Sequence, residues 1–305
     1  MGTVEKSLCI FIHFCNDIKT PEYVRMFVNE LSEHFDQVII ATNQRSHNTD
    51  FNVFSKTIEV RQFQNEGYDL GLFYKVFQTI NPEEYHQIAC INDSNILFNK
   101  LTPIFNWSQG SDHDFWGVID SYEKPWFSTH TDNYHIQSHF IVFNRKSIEL
   151  LHTFFGLMNI DRIFSIKDSK KLRQTVINEW EIGLSQYLIK NGLKHGSFVD
   201  SQRISELYFS GKKNNVTHKL YPELIRSGYP FIKKKIISNG RWIESFRFYT
   251  HWEKMILIHG NKNWNLLGLI DEMILFENNE TNQKIRRLTA KINLTYNQLF
   301  KKKIA

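Results

Sequence analysis

Asp93 and Asn95 stand two positions apart in the run Ile88–Phe98 (IACINDSNILF), between two apolar stretches. A carboxylate in such a turn can hold Mg2+ or Mn2+, and the ion then neutralises a departing diphosphate. The usual form of that turn carries Asp at both ends. Here Asn95 brings an oxygen without charge, so the divalent cation is expected to bind weakly or to be absent, and a plain turn accounts for the residues equally well. A second group is Asn65–Gly71 (NEGYDLG), between an apolar run and a helical one. Gly67 and Gly71 allow close backbone approach to a ligand, and a helix start can meet an anion. A glycine-rich strand–helix turn is the bland alternative. The run is neither GxGxxG nor a P-loop, so no dinucleotide or triphosphate cradle of those kinds is supported.

Two further groups suit saccharide chemistry. A loop with Trp126, His130, Thr131 and Tyr134 leads into His135-Ile136-Gln137-Ser138. Its rings and polar groups fit the faces and hydroxyls of a sugar, although rings more often pack a core. Glu181 precedes Leu184, Tyr187 and Leu188 on the apolar side of a helical pattern. It is the candidate base for an acceptor hydroxyl, with Glu179 and Asp120 as rivals and a solvated helix Glu as the alternative. No HExxH and no GxSxG is present, which excludes the corresponding metalloprotease and hydrolase devices.

These residues need elements to hold them. Leu8–Phe14, Gln37–Ala41, Ile58–Phe63, Gln87–Ile91, Phe115–Ile119 and Ser138–Phe143 read as strands. Helical patterns follow Pro21 and cover Asp69–Ile80, Lys146–Leu157 and Leu172–Asn191, the last stopped by Gly192. Strands apolar throughout, alternating with helices, predict a mostly parallel α/β sheet covered on both faces. Ligands in such sheets bind beyond the carboxyl ends of strands. Those ends carry Asn16-Asp17, Thr42-Asn43, Asn65 to Asp69, Asn92 to Asn95, and Asp120. Tyr208–Asn215 turns polar and loop-like. Tyr221–Lys235 predicts a short helix, a turn at Gly228-Tyr229-Pro230 and a basic segment. A last helix is expected over Glu280–Lys303. With no repeat and no linker, the reading is one domain over 1–240 and a helical extension over 241–305, packed on that domain or peripheral to a membrane.

The 305 residues are 41% hydrophobic and 23% charged, as in an ordinary globular protein. A net charge of +5 suits an anionic ligand such as a nucleotide diphosphate, and equally an anionic lipid leaflet or nucleic acid. No zinc-finger, RRM or helix-turn-helix pattern accompanies that charge, so nucleic acid is not the expected partner. Cys9, Cys15 and Cys90 form no metal or CxxC spacing and read as thiols in a reducing compartment. No secretory leader, myristoylation pattern or membrane-length apolar run is visible. The expected location is therefore cytoplasmic, with Ile285, Leu288, Ile292, Tyr296 and Leu299 forming an apolar stripe set among basic residues. That stripe would rest on the inner face of the cell membrane, on its own domain, or on a second copy.

Four blocks, in order, carry a family resemblance. NEGYDLGLF is similar to the N-x-G-x-D-hydrophobic motif of the bacterial rhamnan-synthesis, rhamnosyltransferase-type glycosyltransferases. FWGVIDSYE with HIQSHFIVFNRKSI resembles that family's FWG…H-x-QS-x-F block. WEIGLSQYLIKNG resembles its acidic helix, and NVTHKLYPELIRSGYPFIKKKII its N-x-T-H…PFIK block. Together they span about Asn65 to Ile237. The resemblance implies a GT-A-like fold and transfer of a hexose or deoxyhexose from a nucleotide diphosphate to a saccharide or lipid-linked acceptor, in O-antigen or capsule synthesis. Carried over by position, Asn65, Gly67 and Asp69 fall in the nucleotide pocket, and Asp93 and Asn95 at the metal or diphosphate. Asp120, Trp126, His135, Gln137 and Ser138 face the acceptor and reacting sugar, Glu181 is the base, and His218 and Lys234 reach the diphosphate. Asn95 departs from the acidic pattern. The competing expectation is a relative that binds nucleotide sugar or carbohydrate without turnover.

Overall fold

An apolar run with no polar face must be covered on both sides, and Lys6–His13 (β1) is such a strand: seven of its eight residues are buried in the computed structural model. The structure describes residues 6–14, 20–43, 57–208, 216–239 and 249–277. β1 lies parallel between Gln37–Thr42 (β2) and Tyr85–Asn92 (β4), and β2 is parallel to Ile58–Gln62 (β3). Asn95–Leu97 (β5) leaves this sheet. Phe115–Ser121 (β6), His135–Ile136 (β7), Phe140–Asn144 (β8) and His195–Val199 (β9) extend it, and Phe231–Lys233 (β10) pairs antiparallel with β5. The order is β3-β2-β1-β4-β8-β6-β7, with β9 parallel to β6.

The alternation of β1 side chains builds two cores. Cys9 and Phe11 face a layer that includes the helix Glu22–Ser32, while Leu8, Ile10 and Ile12 face the helices Tyr68–Phe77 and Arg145–Leu157. Full burial of each such side chain contributes about 1.5–3 kcal/mol, so these two layers fix the frame around β1 and β4. Cys9 and Cys90 are buried free thiols whose pKa values burial raises well above normal. Cys15, Asn16 and Asp17 lie outside the described residues.

The α/β sheet is mostly parallel as expected: it is parallel from β3 to β4 and between β6 and β9, with β8 antiparallel to both β4 and β6. Several elements shift. β5, β7, β9 and β10 escape a periodicity reading because two to five residues are too few to display a period of two. The strand expected from Ser138 starts at Phe140. The helix expected over Leu172–Asn191 is three pieces: Ser169–Thr175, a π-helical stretch Val176–Ile182, and Gly183–Lys190. Tyr221–Lys235 yields the short helix Tyr221–Arg226, then β10, and Lys234 opens another helix.

Two features prepare a site. From β1 the chain proceeds to β2 and β3 on one side, then returns to β4 on the other. Such a reversal of strand order leaves a crevice at the carboxyl ends of the two diverging strands, here at His13 and Asn92. The β5–β10 pair, which sets Lys233 opposite Asn95, brings the basic segment back to that crevice from far along the chain. The helices Tyr249–His259 and Leu266–Glu277 join the first core through Trp252, Ile256, Ile270 and Met273. The helix expected over Glu280–Lys303, with its apolar stripe, lies outside the described residues. No helix among those described is long and apolar enough to cross a membrane.

Candidate active site

The crevice is polar. At the end of β4, one oxygen of Asp93 (Oδ2) accepts from His13 Nδ1 at 2.8 Å, from Lys234 Nζ at 2.8 Å and from the Tyr23 hydroxyl at 3.3 Å. Burial works against a charged Asp93, but Lys234 and His13 more than offset it and hold the carboxyl well below the usual range. Lys234 is itself positioned. Its backbone N–H donates to Ser94 O at 3.2 Å, and its ammonium donates to Tyr23 OH at 2.6 Å and lies 4.6 Å from that ring's centre. Sequence reading missed His13 and Tyr23, which carry no motif.

Asp69 approaches the same crevice from the helix Tyr68–Phe77. Gly67 (φ 72) and Tyr68 (φ 56) both take left-handed backbone, a conformation that costs a non-glycine residue about 1–3 kcal/mol, and so turn the chain sharply ahead of Asp69. Glycine is required nearby for packing as well: a Cβ on Gly71 would stand 1.8 Å from Glu66 O, and one on Gly67 2.8 Å from a Phe164 ring carbon. Within the chain these glycines permit close approach of the Glu66 carbonyl and the Phe164 ring, and Asp69 lies in the first turn of the helix. Asn65 is exposed beside this turn. Asp69 Oδ2 accepts from Asn92 Nδ2 at 2.7 Å. Desolvation first, then the charges of Asp93 and Glu181, push its pKa up to about 7 against a partial relief from Lys234.

The sign of that shift gives a stability prediction. Folded Asp69 keeps its proton up to about pH 7, whereas an unfolded chain releases it near about 4. The stabilisation is complete below the unfolded value and is lost as pH rises through about 7. Asp69→Asn removes this titration, so the fall in Tm between pH 5 and pH 8 is expected to be shallower than in the parent chain. An identical slope in both proteins would contradict the placement of Asp69.

Glu181 sits on the π-helical stretch. Its Oε1 accepts from both Ser138 N at 3.0 Å and Ser138 Oγ at 2.7 Å, and its charge is felt by Asp69 and by Lys233. π-helical turns re-aim side chains, and this one turns Glu181 towards Ser138 while the rival Glu179 pairs outward with Arg162. Lys233 has its pKa lowered to about 8 by burial, with Glu181 opposing. His218 is exposed, and desolvation of its ring followed by the charges of Lys233, Lys235 and Arg173 brings its pKa down to about 4. The structure therefore gathers Asp69, Asp93, Glu181, Lys233, Lys234 and His218 in one region.

The remaining candidates lie on β6, on β7 and in the segments beside it. Asp120 is buried on β6, and its Oδ1 accepts from Ser201 N at 2.8 Å at the start of the helix Ser201–Tyr208; burial raises its pKa. His135 Nδ1 lies 2.7 Å from Asn133 O, and Gln137 Nε2 donates to Asp120 O at 3.3 Å, so both buried side chains are tied to backbone. Gly117 lets this segment cross β6, since a Cβ there would stand 2.1 Å from Ile136 Cγ2. Trp126, at 82% exposure, is open to solvent. His139, not singled out from the sequence, contacts Tyr229 OH at 3.0 Å, and burial lowers its pKa to about 3 with a smaller contribution from Lys233.

The donor set at Asp93 and Asn95 is a poor match to a divalent ion. The Asp93 oxygen already faces an ammonium, and Asn95 is 1% exposed with its Nδ2 donating to Ser94 Oγ at 3.3 Å. Asn95 Oδ1, buried without a hydrogen-bond donor among the described residues, favours a cation. A neutral amide oxygen and one carboxylate beside an ammonium are few ligands for an ion that takes about six. Among the described residues no group of three or more His, Cys, Asp or Glu side chains is arranged to hold a metal.

Residues 38–283 match the family model described as rhamnan synthesis protein F. The virulence protein VirA of Vibrio anguillarum is 27% identical in an alignment that covers 58% of this chain and 61% of VirA. The chain therefore spans 61% of the length of that curated relative. Solved structures similar to it include a Bacillus anthracis protein described as a glucose-1-phosphate thymidylyltransferase, with sucrose (10% identity, 68% of this chain and 98% of that one, TM-score 0.42). Another is a 4-diphosphocytidyl-2C-methyl-D-erythritol synthase from Anaerococcus prevotii (9% identity, 64% and 89%, TM-score 0.38).

Proposed function

We propose a glycosyl transfer reaction on the ground that this chain belongs to the rhamnan synthesis protein F family. A sugar moves from a nucleotide-diphosphate donor to a saccharide or lipid-linked saccharide acceptor during surface polysaccharide synthesis, on a GT-A-like fold. The observation that carries this reading is the convergence of Asp93, Lys234, Asp69 and Glu181 at the carboxyl ends of β1 and β4, the crevice where such sheets bind ligands.

In this reading Asn65 and Asp69 meet the nucleoside and sugar side of the donor, and Lys234 with His218 meets the diphosphate. Glu181, held by Ser138, takes the acceptor hydroxyl proton as the new bond to the sugar C1 forms. The C1–O bond to the diphosphate breaks, and its electron pair departs with the nucleotide. Trp126 offers an exposed ring for a sugar face. Ser138 is then a positioning residue rather than an acceptor contact. The work is done at the cytoplasmic face of the membrane, where lipid-linked acceptors are found. A thermal-shift screen of UDP-, dTDP- and GDP-sugars tests the donor class: one nucleotide family is expected to raise Tm, by mass action on the folded state. No shift with any of them would count against the reading.

A further inference from the structure

We propose that the Lys234 ammonium does here what a divalent cation does at acidic Asp-x-Asp turns, so that transfer proceeds without metal. The inference rests on the sugar-transfer reading and names the group that receives the leaving charge.

The geometry has three parts. First, one oxygen of the carboxylate that would anchor an ion is already engaged: Asp93 Oδ2 lies 2.8 Å from Lys234 Nζ and 2.8 Å from His13 Nδ1. A dication on that oxygen would stand beside an ammonium, and like charges so close repel strongly in a poorly solvated site. Second, the companion residue is Asn95, which carries no charge, is 1% exposed, and lies in the β5–β10 ladder opposite Lys233. Third, the lysine is not a free-swinging surface cation. Only 14% of its side chain is exposed, its backbone is tied to Ser94, and its ammonium is clamped between Asp93 and the Tyr23 hydroxyl and ring. Asp93 thus orients a fixed positive charge at the very turn where an ion would otherwise sit. A pre-placed charge needs no reorganisation as the diphosphate departs. The ammonium makes no covalent bond; the electron pair leaves on the diphosphate oxygen and the acceptor proton goes to Glu181.

The test uses the full chain with the donor family that stabilises it. Nucleoside diphosphate release is followed with excess EDTA and with added Mn2+, alongside calorimetric titration of the matching nucleoside diphosphate in EDTA. The parent chain is expected to turn over equally in both conditions and to bind the nucleoside diphosphate without metal. Lys234→Met should lose about 10^2-fold or more in turnover, with no recovery on adding Mn2+. Lys234→Arg, which keeps the charge, should retain part of the rate and of the binding. Loss of parent turnover in EDTA with recovery in Mn2+ would overturn the proposal, as would a Lys234→Met protein at parental rate. The EDTA comparison needs no variant to fold. A folded parent chain that releases nucleotide from no donor, with or without Mn2+, would instead sink the sugar-transfer reading, and this inference with it.

Discussion

Glu181→Gln is expected to lower kcat by about 10^2- to 10^4-fold while donor affinity stays close to that of the parent chain. Gln keeps an oxygen in the place of Oε1, which accepts both Ser138 hydrogen bonds, so the π-helical stretch and the crevice retain their shape. What disappears is basicity. The substitution also removes one of the two negative charges that raise the pKa of Asp69, so the Asp69 titration should move to lower pH in the same protein. A structural role alone would not link those two readouts. Asp120→Asn supplies the contrast: its carboxylate serves the Ser201 N–H, which an amide oxygen can also accept, so activity should persist. If Asp120→Asn is the inactive variant and Glu181→Gln turns over normally, the base has been misassigned.

Asp93→Ala should damage both stability and turnover. The variant removes the carboxylate that Lys234 and His13 share, and breaking a buried pair in this way costs about 3–5 kcal/mol. Turnover measured well below the new Tm should still fall by about 10^2-fold or more, because the ammonium is no longer aimed at the leaving group. The pH dependence runs opposite to that of Asp69. Asp93 is held below its unfolded value, so its contribution is present above about pH 4 and is lost as pH falls towards the folded value. Chemical denaturation at neutral pH measures the stability term. A parental midpoint together with parental kcat would show that Asp93 neither supports the fold nor orients Lys234.

Much of this frame was legible in the residues. Leu8–Ile12, Val38–Ala41 and Ile88–Ile91 are apolar throughout, which only a two-sided sheet accommodates, and Asp93 follows the third of them where ligands gather in such sheets. The contacts of Asp93 were less visible. His13 closes β1 and Tyr23 opens a helix, and no local spacing links either to residue 93, since a sheet order and a helix docking bring them together. Glu181 presents the reverse case. A regular helix through Leu172–Asn191 aligns it by a period of 3.6, but the π-helical stretch breaks that period and decides where it points. The glycines of NEGYDLG also have a packing role that the sequence does not display: they make room for Phe164 and for the Glu66 carbonyl beside the turn that leads into Asp69.

In the proposed reaction the crevice at the ends of β1 and β4 breaks a sugar–diphosphate bond. Release of nucleoside diphosphate from a UDP-, dTDP- or GDP-sugar, in the presence of a saccharide acceptor, measures this most directly in matched samples of parent and Glu181→Gln protein. Release by the parent from one nucleotide family, dependent on acceptor, is expected, with near-complete loss in Glu181→Gln despite retained donor binding. Equal release by both proteins, or none by a folded parent that binds donor, would contradict it.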